Sequence, residues 1–138
     1  INGNDIKKID DYVEKISQIL GKDDDKKLCL GTGEFMYIPM KIASLLGENT
    51  FYHSTTRSPI YPLEREGYGV KRKFEFDNYD DKNIKNYLYN MKDDFYDKIY
   101  IFLERDVKDE NLESFMKILK KVKAKKIYFI IFSHKERN

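Results

Sequence analysis

The sequence predicts an α/β fold, a three-layer sandwich built on a mostly parallel sheet of about five strands. Segments with helical periodicity alternate along the chain with short strand-like segments. Three of those strands are almost wholly apolar, around Leu28, Ile99 and Ile127. Strands that are apolar on both faces are typical of parallel sheets covered by helices on both sides. The alternation and the apolar strands therefore favour the same architecture.

The first part of the chain predicts two helices and two strands in alternation. These elements are a helix capped by Asp5 and ended by Gly21, a strand at Lys27 to Leu30, a helix stopped by Gly47, and a strand at Thr50 to Ser54. Pro39 falls inside the second helix and has no N–H to donate to an upstream carbonyl. That helix must therefore either begin near Ile38 or kink.

The rest of the chain opens with a segment broken by prolines and glycines, from Pro59 to Gly69, which predicts an extended excursion or a hairpin. Five elements are predicted after it. They are an edge strand at Val70 to Phe76, a helix near Asp81 to Met91, a strand at Ile99 to Leu103, a helix capped by Asp109, and a last strand at Lys126 to Phe132.

Length and composition limit the classes of function. The chain has 138 residues, which is the size of one domain, and a net charge of only +2. That balance argues against broad nucleic-acid binding. The single cysteine, Cys29, lies in an apolar strand, which favours a core position in a reduced, cytoplasmic protein. No apolar run approaches a membrane span, and no signal peptide is visible. Because the sequence opens with Ile1, we expect it to be excised from a longer chain.

Polar and charged side chains gather where the predicted strands end. These ends are Gly31–Glu34, Ser54–Ser58, Glu104–Asp106 and Ser133–His134. In open parallel sheets, ligands bind outside the carboxyl ends of the strands, where the connections diverge. The sequence therefore predicts a binding site at this edge of the sheet.

The strongest candidate is the segment that follows the second strand. Arg57 offers a planar fork of donors for an oxyanion, and the hydroxyl groups of Thr55, Thr56 and Ser58 add directional ones. The alternative is an arginine paired with a carboxylate, with hydroxyls that satisfy turn amides. The position of this segment beside Gly31–Glu34 favours the binding site.

Two further strand ends contribute candidates. The glycine-rich turn can present the backbone amides of Thr32 and Gly33 to an anion, although Glu34 competes for the same positive helix end. Glu34 and Glu104 are candidates for contacts to ligand hydroxyls or for acid/base catalysis. The alternatives are a plain turn in which Glu34 satisfies the helix dipole and, at Glu104, ordinary surface charge.

Metal ligands are not recognisable in this sequence. There is no HExxH pattern and no cluster of cysteines. No spacing supports a Ser/His/Asp triad around His134. We expect no metal site and no cofactor.

Two segments resemble the signatures of the TRSP domain family. They are Leu30-Gly31-Thr32-Gly33-Glu34-Phe35-Met36-Tyr37-Ile38-Pro39 and Ser54-Thr55-Thr56-Arg57-Ser58-Pro59-Ile60. The family takes its name from the four residues that stand here as Thr56-Arg57-Ser58-Pro59. The resemblance implies a domain C-terminal to a phosphoribosyltransferase domain, fused or adjacent, in bacterial stress-response gene clusters associated with tellurite resistance.

A second likeness is to type I phosphoribosyltransferases, which also suggests a Rossmann-like or phosphoribosyltransferase-like topology. Gly31 through Gly47 is similar to their first strand, loop and helix, and the excursion after Ser54 stands where they have a flexible hood. The diphosphate-ribose loop of that family differs, because Ile99–Leu103 is followed here by Glu104-Arg105-Asp106-Val107-Lys108, without glycine or threonine. Unaided phosphoribosyl transfer is therefore not expected.

These observations together predict an accessory, ligand-binding domain that works with a phosphoribosyltransferase and recognises a phosphorylated sugar or nucleotide. Two alternatives remain open. One is a catalytic domain that acts on a phosphosugar or nucleotide, with Glu34 or Glu104 as the base in a closed pocket. The other is an interaction scaffold that presents exposed aromatic side chains to its partner.

Overall fold

Four parallel strands form the central sheet of the computed structural model, which describes residues 3–32, 35–57, 72–79, 81 and 83–132. They are β1 (Lys27–Thr32), β2 (Thr50–Thr55), β5 (Lys98–Leu103) and β6 (Lys126–Ile131). Their order in the sheet is β2-β1-β5-β6. The predicted α/β class is confirmed, with a sheet of four strands rather than five. The strand predicted at Val70 to Phe76 lies outside this sheet.

The strand predicted at Val70 to Phe76 corresponds to β3 (Lys73–Asp77), which pairs with β4 (Lys85–Tyr89) in an antiparallel hairpin. The helix predicted near Asp81 to Met91 is therefore wrong. Within β4, Asn86 and Leu88 are buried and alternate with more exposed neighbours, which is the two-residue period of a strand. Tyrosines at alternate positions also favour a strand over a helix.

The described residues also form three α-helices: α1 (Gly3–Leu20), α2 (Tyr37–Ala43) and α3 (Glu113–Val122). Pro39 is the third residue of α2, so it lies in the first turn, where its missing N–H breaks no helical hydrogen bond. Of the two alternatives for Pro39, a helix that begins near Ile38 is the correct one. None of the described helices combines the length and the apolar character that crossing a membrane requires.

Both predicted N-caps are wrong. Asp5 lies inside the first turn of α1, two residues after the helix begins at Gly3. Asp109 opens a 3₁₀ turn, Asp109–Leu112, which precedes α3, and the residue before that turn is Lys108. Aspartate is favoured both as a cap and in the first turn, so the residue type alone does not fix which position it takes.

Each face of the sheet is covered by its own apolar cluster, because successive residues of a buried strand point to opposite faces. One cluster joins α1 and α2 to the sheet through Val13, Cys29, Ile42, Tyr100 and Phe102. The other joins α3 and the hairpin to the sheet through Leu28, Leu30, Ile101, Phe76 and Phe115. This is the predicted three-layer arrangement, with the hairpin sharing a layer with α3. Burial raises the pKa of the Cys29 thiol to about 12, which agrees with a cysteine of the core.

A buried lysine holds the amino-terminal edge of the sheet together. Lys27 is fully buried at the first position of β1, and its Nζ donates hydrogen bonds to the Asp23 carbonyl at 2.9 Å and the Leu46 carbonyl at 2.7 Å. The same Nζ is 2.8 Å from the Asp23 carboxylate, which also pairs with Lys98 at the start of β5, at 3.0 Å. Gly47 passes so close to the Asp23 carbonyl, with a φ of +121°, that a Cβ there would overlap it.

Replacing Lys27 by methionine is expected to lower the free energy of unfolding by about 2–4 kcal/mol, because two buried carbonyls lose their donor. Lys22→Met is the matched control, since Lys22 is exposed and lies five positions earlier. Urea titrations of the two variants and the wild type measure the difference. A Lys27→Met protein as stable as the Lys22→Met protein would contradict this role.

The Asp23 ion pairs make stability depend on pH in acid. Hydrogen bonds from Lys27 and Lys98 lower the pKa of the Asp23 carboxyl in the folded protein. The stabilisation is therefore complete above the unfolded-state pKa of about 4 and is lost as the pH falls below it. We expect Asp23→Asn to be less stable than the wild type at neutral pH and the gap to narrow below about pH 4. Urea midpoints measured along a pH series test this; a constant gap contradicts it.

Candidate functional site

The two central strands part at the carboxyl edge of the sheet. Pairing between β1 and β5 ends at Leu30 and Ile101, although each strand continues for two more residues. Pairing with the outer strands continues to the strand ends. Thr32 of β1 pairs with Thr55 of β2, and Leu103 of β5 pairs with Ile131 of β6. The connections after β1 and β5 lead to opposite sides of the sheet. Ligands of α/β proteins bind in the crevice at such a switch point.

Two predicted site residues are neighbours at this edge. Thr32 and Thr55 are register partners at the ends of β1 and β2, so their side chains lie on the same face, about 5 Å apart. The alternation along β1 from Leu28 and Leu30, which belong to the α3 cluster, places Thr32 on the hairpin side of the sheet. The structure thus brings together two of the predicted site residues, Thr55 for its hydroxyl group and Thr32 for its backbone amide.

Thr55 carries an unusual feature for a buried residue. Its side chain is only 2% exposed, and its Oγ1 is buried without a hydrogen-bond partner among the described residues. A buried hydroxyl group without a partner costs about 1–3 kcal/mol, and most native structures avoid it. Oγ1 of Thr50, at the opposite end of the same strand, is also buried and finds no partner within the described ranges.

The chain leaves the parallel sheet directly after Thr55. The Thr56 N–H donates to the Tyr87 carbonyl at 3.0 Å, and the Thr56 carbonyl accepts from the Tyr87 N–H at 2.7 Å. Both backbone groups of Thr56 are thereby occupied by β4, and the hairpin is fastened to the end of β2. Arg57 follows, exposed, and the described part of the chain gives its guanidinium no ion pair. The alternative of an arginine paired with a carboxylate is therefore not supported among these residues.

The other predicted residues are placed less fully. Glu104 directly follows β5, and its side chain is exposed. Gly33, Glu34, Ser58 and the ends at Ser133–His134 lie outside the described residues, as does the excursion from Pro59 to Gly69.

Glycine is required at position 31 for a structural reason that the sequence did not indicate. A Cβ at this position would overlap the Tyr52 hydroxyl, because the Tyr52 ring crosses β1 at this point. That hydroxyl donates a long hydrogen bond, 3.4 Å, to the Met36 carbonyl, and burial raises its pKa. The turn after β1 closes with a hydrogen bond from the Phe35 N–H to the Thr32 carbonyl at 2.7 Å. Glycine at position 31 therefore leaves room for the Tyr52 ring, which lies on the α1/α2 side of the sheet.

Sequence reasoning missed His53. It lies two residues before Thr55 on the same face of β2, and its Nδ1 is buried without a hydrogen-bond partner among the described residues. Burial lowers the pKa of the imidazole, while a hydrogen bond to the Tyr89 backbone opposes the shift. The sequence signal that could have identified His53 was its spacing of two residues from Thr55, because this spacing in a strand places both side chains on the same face, under the hairpin.

A polar depression of about 170 Å³ lies at the start of α3, outside the predicted site. It is lined by Asp77, Glu110, Asn111, Glu113, Ser114 and Lys117. Ser114 is already engaged there, since its Oγ accepts a hydrogen bond from the Asp77 N–H at 2.9 Å. None of the predicted site residues lines it.

Comparison with known families identifies the chain. Residues 1–119 match the family model described as "TRSP domain C terminus to PRTase_2". The chain belongs to the TRSP domain family. No curated protein and no solved structure matches it. The family description also gives the TRSP domain its partner context, a preceding phosphoribosyltransferase domain.

The family match covers most of this TRSP domain but not its last strand. It includes the ends of β1 and β2, with both signature segments, and stops at residue 119, within α3. Strand β6, which completes the sheet, follows the matched region. The edge formed by Thr32, Thr55 and Arg57 is therefore within the part of the chain that the family shares.

Thr55→Val is expected to raise the free energy of unfolding by about 1 kcal/mol, because a methyl group replaces a hydroxyl group that has no partner. Thr50→Val is the matched control, with the same change on the same strand at the amino-terminal edge, and we expect a similar gain. Thermal and urea unfolding of both variants check this. A destabilised Thr55→Val protein would mean that the hydroxyl group has a partner in the folded domain.

Proposed function

We propose that this TRSP domain is an accessory, ligand-binding domain that works with a phosphoribosyltransferase and recognises a phosphorylated sugar or nucleotide. The observation that carries the proposal is the hydroxyl group of Thr55, which is buried beside Thr32 at the edge where the central strands part and has no hydrogen-bond partner among the described residues. A protein that keeps a buried donor without a partner loses stability, and functional sites are where such losses are expected.

The chemistry of the edge suits a phosphate on a sugar. A guanidinium binds a phosphate through two parallel hydrogen bonds, and Arg57 is exposed, with no ion pair to another described residue. Threonine hydroxyl groups both donate and accept, so Thr32 and Thr55 suit phosphate oxygens and sugar hydroxyls alike. Thr56 contributes through its side chain, since its backbone is bonded to β4. We include Gly33 and Ser58 as ligand contacts by their places in the two signature segments.

Glu34 and Glu104 are proposed as contacts to ligand hydroxyl groups. Glu104 stands at the end of β5, on the far side of the crevice from Thr55. Its exposure suits hydrogen bonding to a sugar hydroxyl group more than acid/base catalysis, which is favoured where water is excluded from the site. We therefore propose recognition, and not catalysis, as the activity of this chain.

The wider setting is proposed from the resemblance that the two signature segments carry. We propose that the domain is part of a longer, cytoplasmic chain with an N-terminal phosphoribosyltransferase domain, and that it acts in a stress-response pathway. Support comes from the match to a family placed C-terminal to PRTase_2 and from the free, buried thiol of Cys29, which is typical of reducing compartments.

Calorimetric titration with ribose 5-phosphate and with a nucleoside monophosphate tests the proposal. Arg57→Ala is expected to weaken binding by about 10-fold to 100-fold, the loss typical of a hydrogen bond to a charged group. Lys121→Ala is the control, because it removes one exposed positive charge on α3, away from the edge. Thr55→Val should also weaken binding, and Thr50→Val should not.

Two results would contradict the proposed function. One is the absence of binding heat for both probes with the wild-type protein. The other is equal affinity in the wild type, Arg57→Ala and Thr55→Val, which would place any ligand elsewhere. Because Thr55→Val is expected to fold at least as well as the wild type, loss of binding in that variant reports on the site and not on unfolding.

A further inference from the structure

Three large apolar side chains stand exposed at the start of α2. Met36 is 42% exposed, Tyr37 48% and Met40 47%. Single exposed apolar residues are ordinary on a protein surface, but a group of them at one place marks an interaction site. These three lie within five positions at one end of a short helix, beside the carboxyl edge of the sheet.

An exposed tyrosine of α1 extends this group. Tyr12 is 44% exposed, and its ring packs on Phe132 at 5.8 Å between centroids. Phe132 follows the last residue of β6, and its ring also packs on Phe35 at 5.1 Å, next to Met36 in the chain. Tyr12, Met36, Tyr37 and Met40 therefore belong to one end of the α1/α2 layer and are called the edge patch below.

Helix α1 carries the chain past this edge. Tyr12 lies level with Phe132, just beyond the carboxyl end of β6. The helix begins nine residues earlier, at Gly3, which is about 13 Å along its axis at 1.5 Å per residue. Any domain that precedes Gly3 is thus delivered to the side of the molecule where the edge patch lies.

We infer that the edge patch is the docking surface for the phosphoribosyltransferase domain. The occupant follows from two observations, the family description, which places PRTase_2 before this domain, and the direction of α1. Tyrosine and methionine are enriched in the cores of protein interfaces, where lysine and glutamate are depleted. Lys41, whose Nζ lies 5.7 Å from the centre of the Tyr37 ring, suits the polar rim of such a contact.

The docked domain would lie next to the candidate ligand site. The edge patch and the Thr32–Thr55 pair belong to the same edge of the sheet, on its α1/α2 side and its hairpin side respectively. Docking rests on the family arrangement and not on ligand binding, so either proposal can fail without the other.

Hydroxyl-radical footprinting compares the chain of residues 1–138 with the longer protein in which the phosphoribosyltransferase domain precedes it. Methionine and tyrosine side chains oxidise readily when exposed. Oxidation of the four edge-patch residues is expected to fall about fivefold or more in the longer protein, since an interface core excludes solvent. Ile19 and Leu45, exposed apolar residues at the amino-terminal edge, serve as controls and should react equally in both.

A double variant, Met36→Glu with Met40→Glu, tests whether the patch itself makes the contact. In the longer protein it should restore oxidation of Tyr12 and Tyr37 to the level of the 1–138 chain, whereas Ile19→Glu with Leu45→Glu should leave their protection intact. Both residues changed in each pair are exposed, so the domain fold is retained, and circular dichroism verifies it.

Several outcomes would overturn the inference. Equal oxidation of the edge patch in both proteins shows that the phosphoribosyltransferase domain does not cover it. Protection of the 1–138 chain alone that grows with protein concentration assigns the surface to a second copy of this chain. Protection that survives the double glutamate variant assigns the contact to other residues. The footprinting uses no ligand, so the titrations of Arg57→Ala remain independent of it.

Discussion

The buried ammonium group of Lys27 is the interaction on which the arrangement of the sheet depends. It links the loop before β1 to the end of the α2 connection, and through Asp23 it reaches Lys98 at the start of β5. Lys27 and Lys98 are also register partners. A charge buried this deeply is tolerated only when acceptors surround it, so the loops that supply them have little freedom. The central strands therefore start in register.

The opposite edge has a different character. There β1 and β5 separate after Leu30 and Ile101, and β1 and β2 end in Thr32 and Thr55. The sheet is thus held tightly at the edge where the loops carry no proposed chemistry and opens at the edge where they do. This division is common in α/β domains, because a rigid scaffold positions the loops that bind ligands.

Sequence reasoning succeeded where the local signals agreed. The apolar strands at Leu28, Ile99 and Ile127 predicted a covered parallel sheet, and the two signature segments together predicted the family. It failed where two signals competed. At Asp81 to Met91 a helix was predicted although Asn86 and Leu88 alternate with more polar neighbours, and the packing of Leu88 in the cluster that joins α3 and the hairpin to the sheet decides for a strand. The predictions of Asp5 and Asp109 as N-caps failed for a related reason, because aspartate is favoured both as an N-cap and in the first turn of a helix.

The sequence by itself determined the fold class, the family and the chemical nature of the Arg57 loop, because each depends on which residues follow one another. The tertiary structure decided what depends on residues far apart. It made Thr32 and Thr55 neighbours and gave the Thr55 hydroxyl group no partner in the part of the chain that the structure describes. It also fastened Thr56 to Tyr87. Hydrogen-bond satisfaction is a property of the surroundings of a group in space, so no reading of the Thr55–Ile60 segment alone could have predicted it.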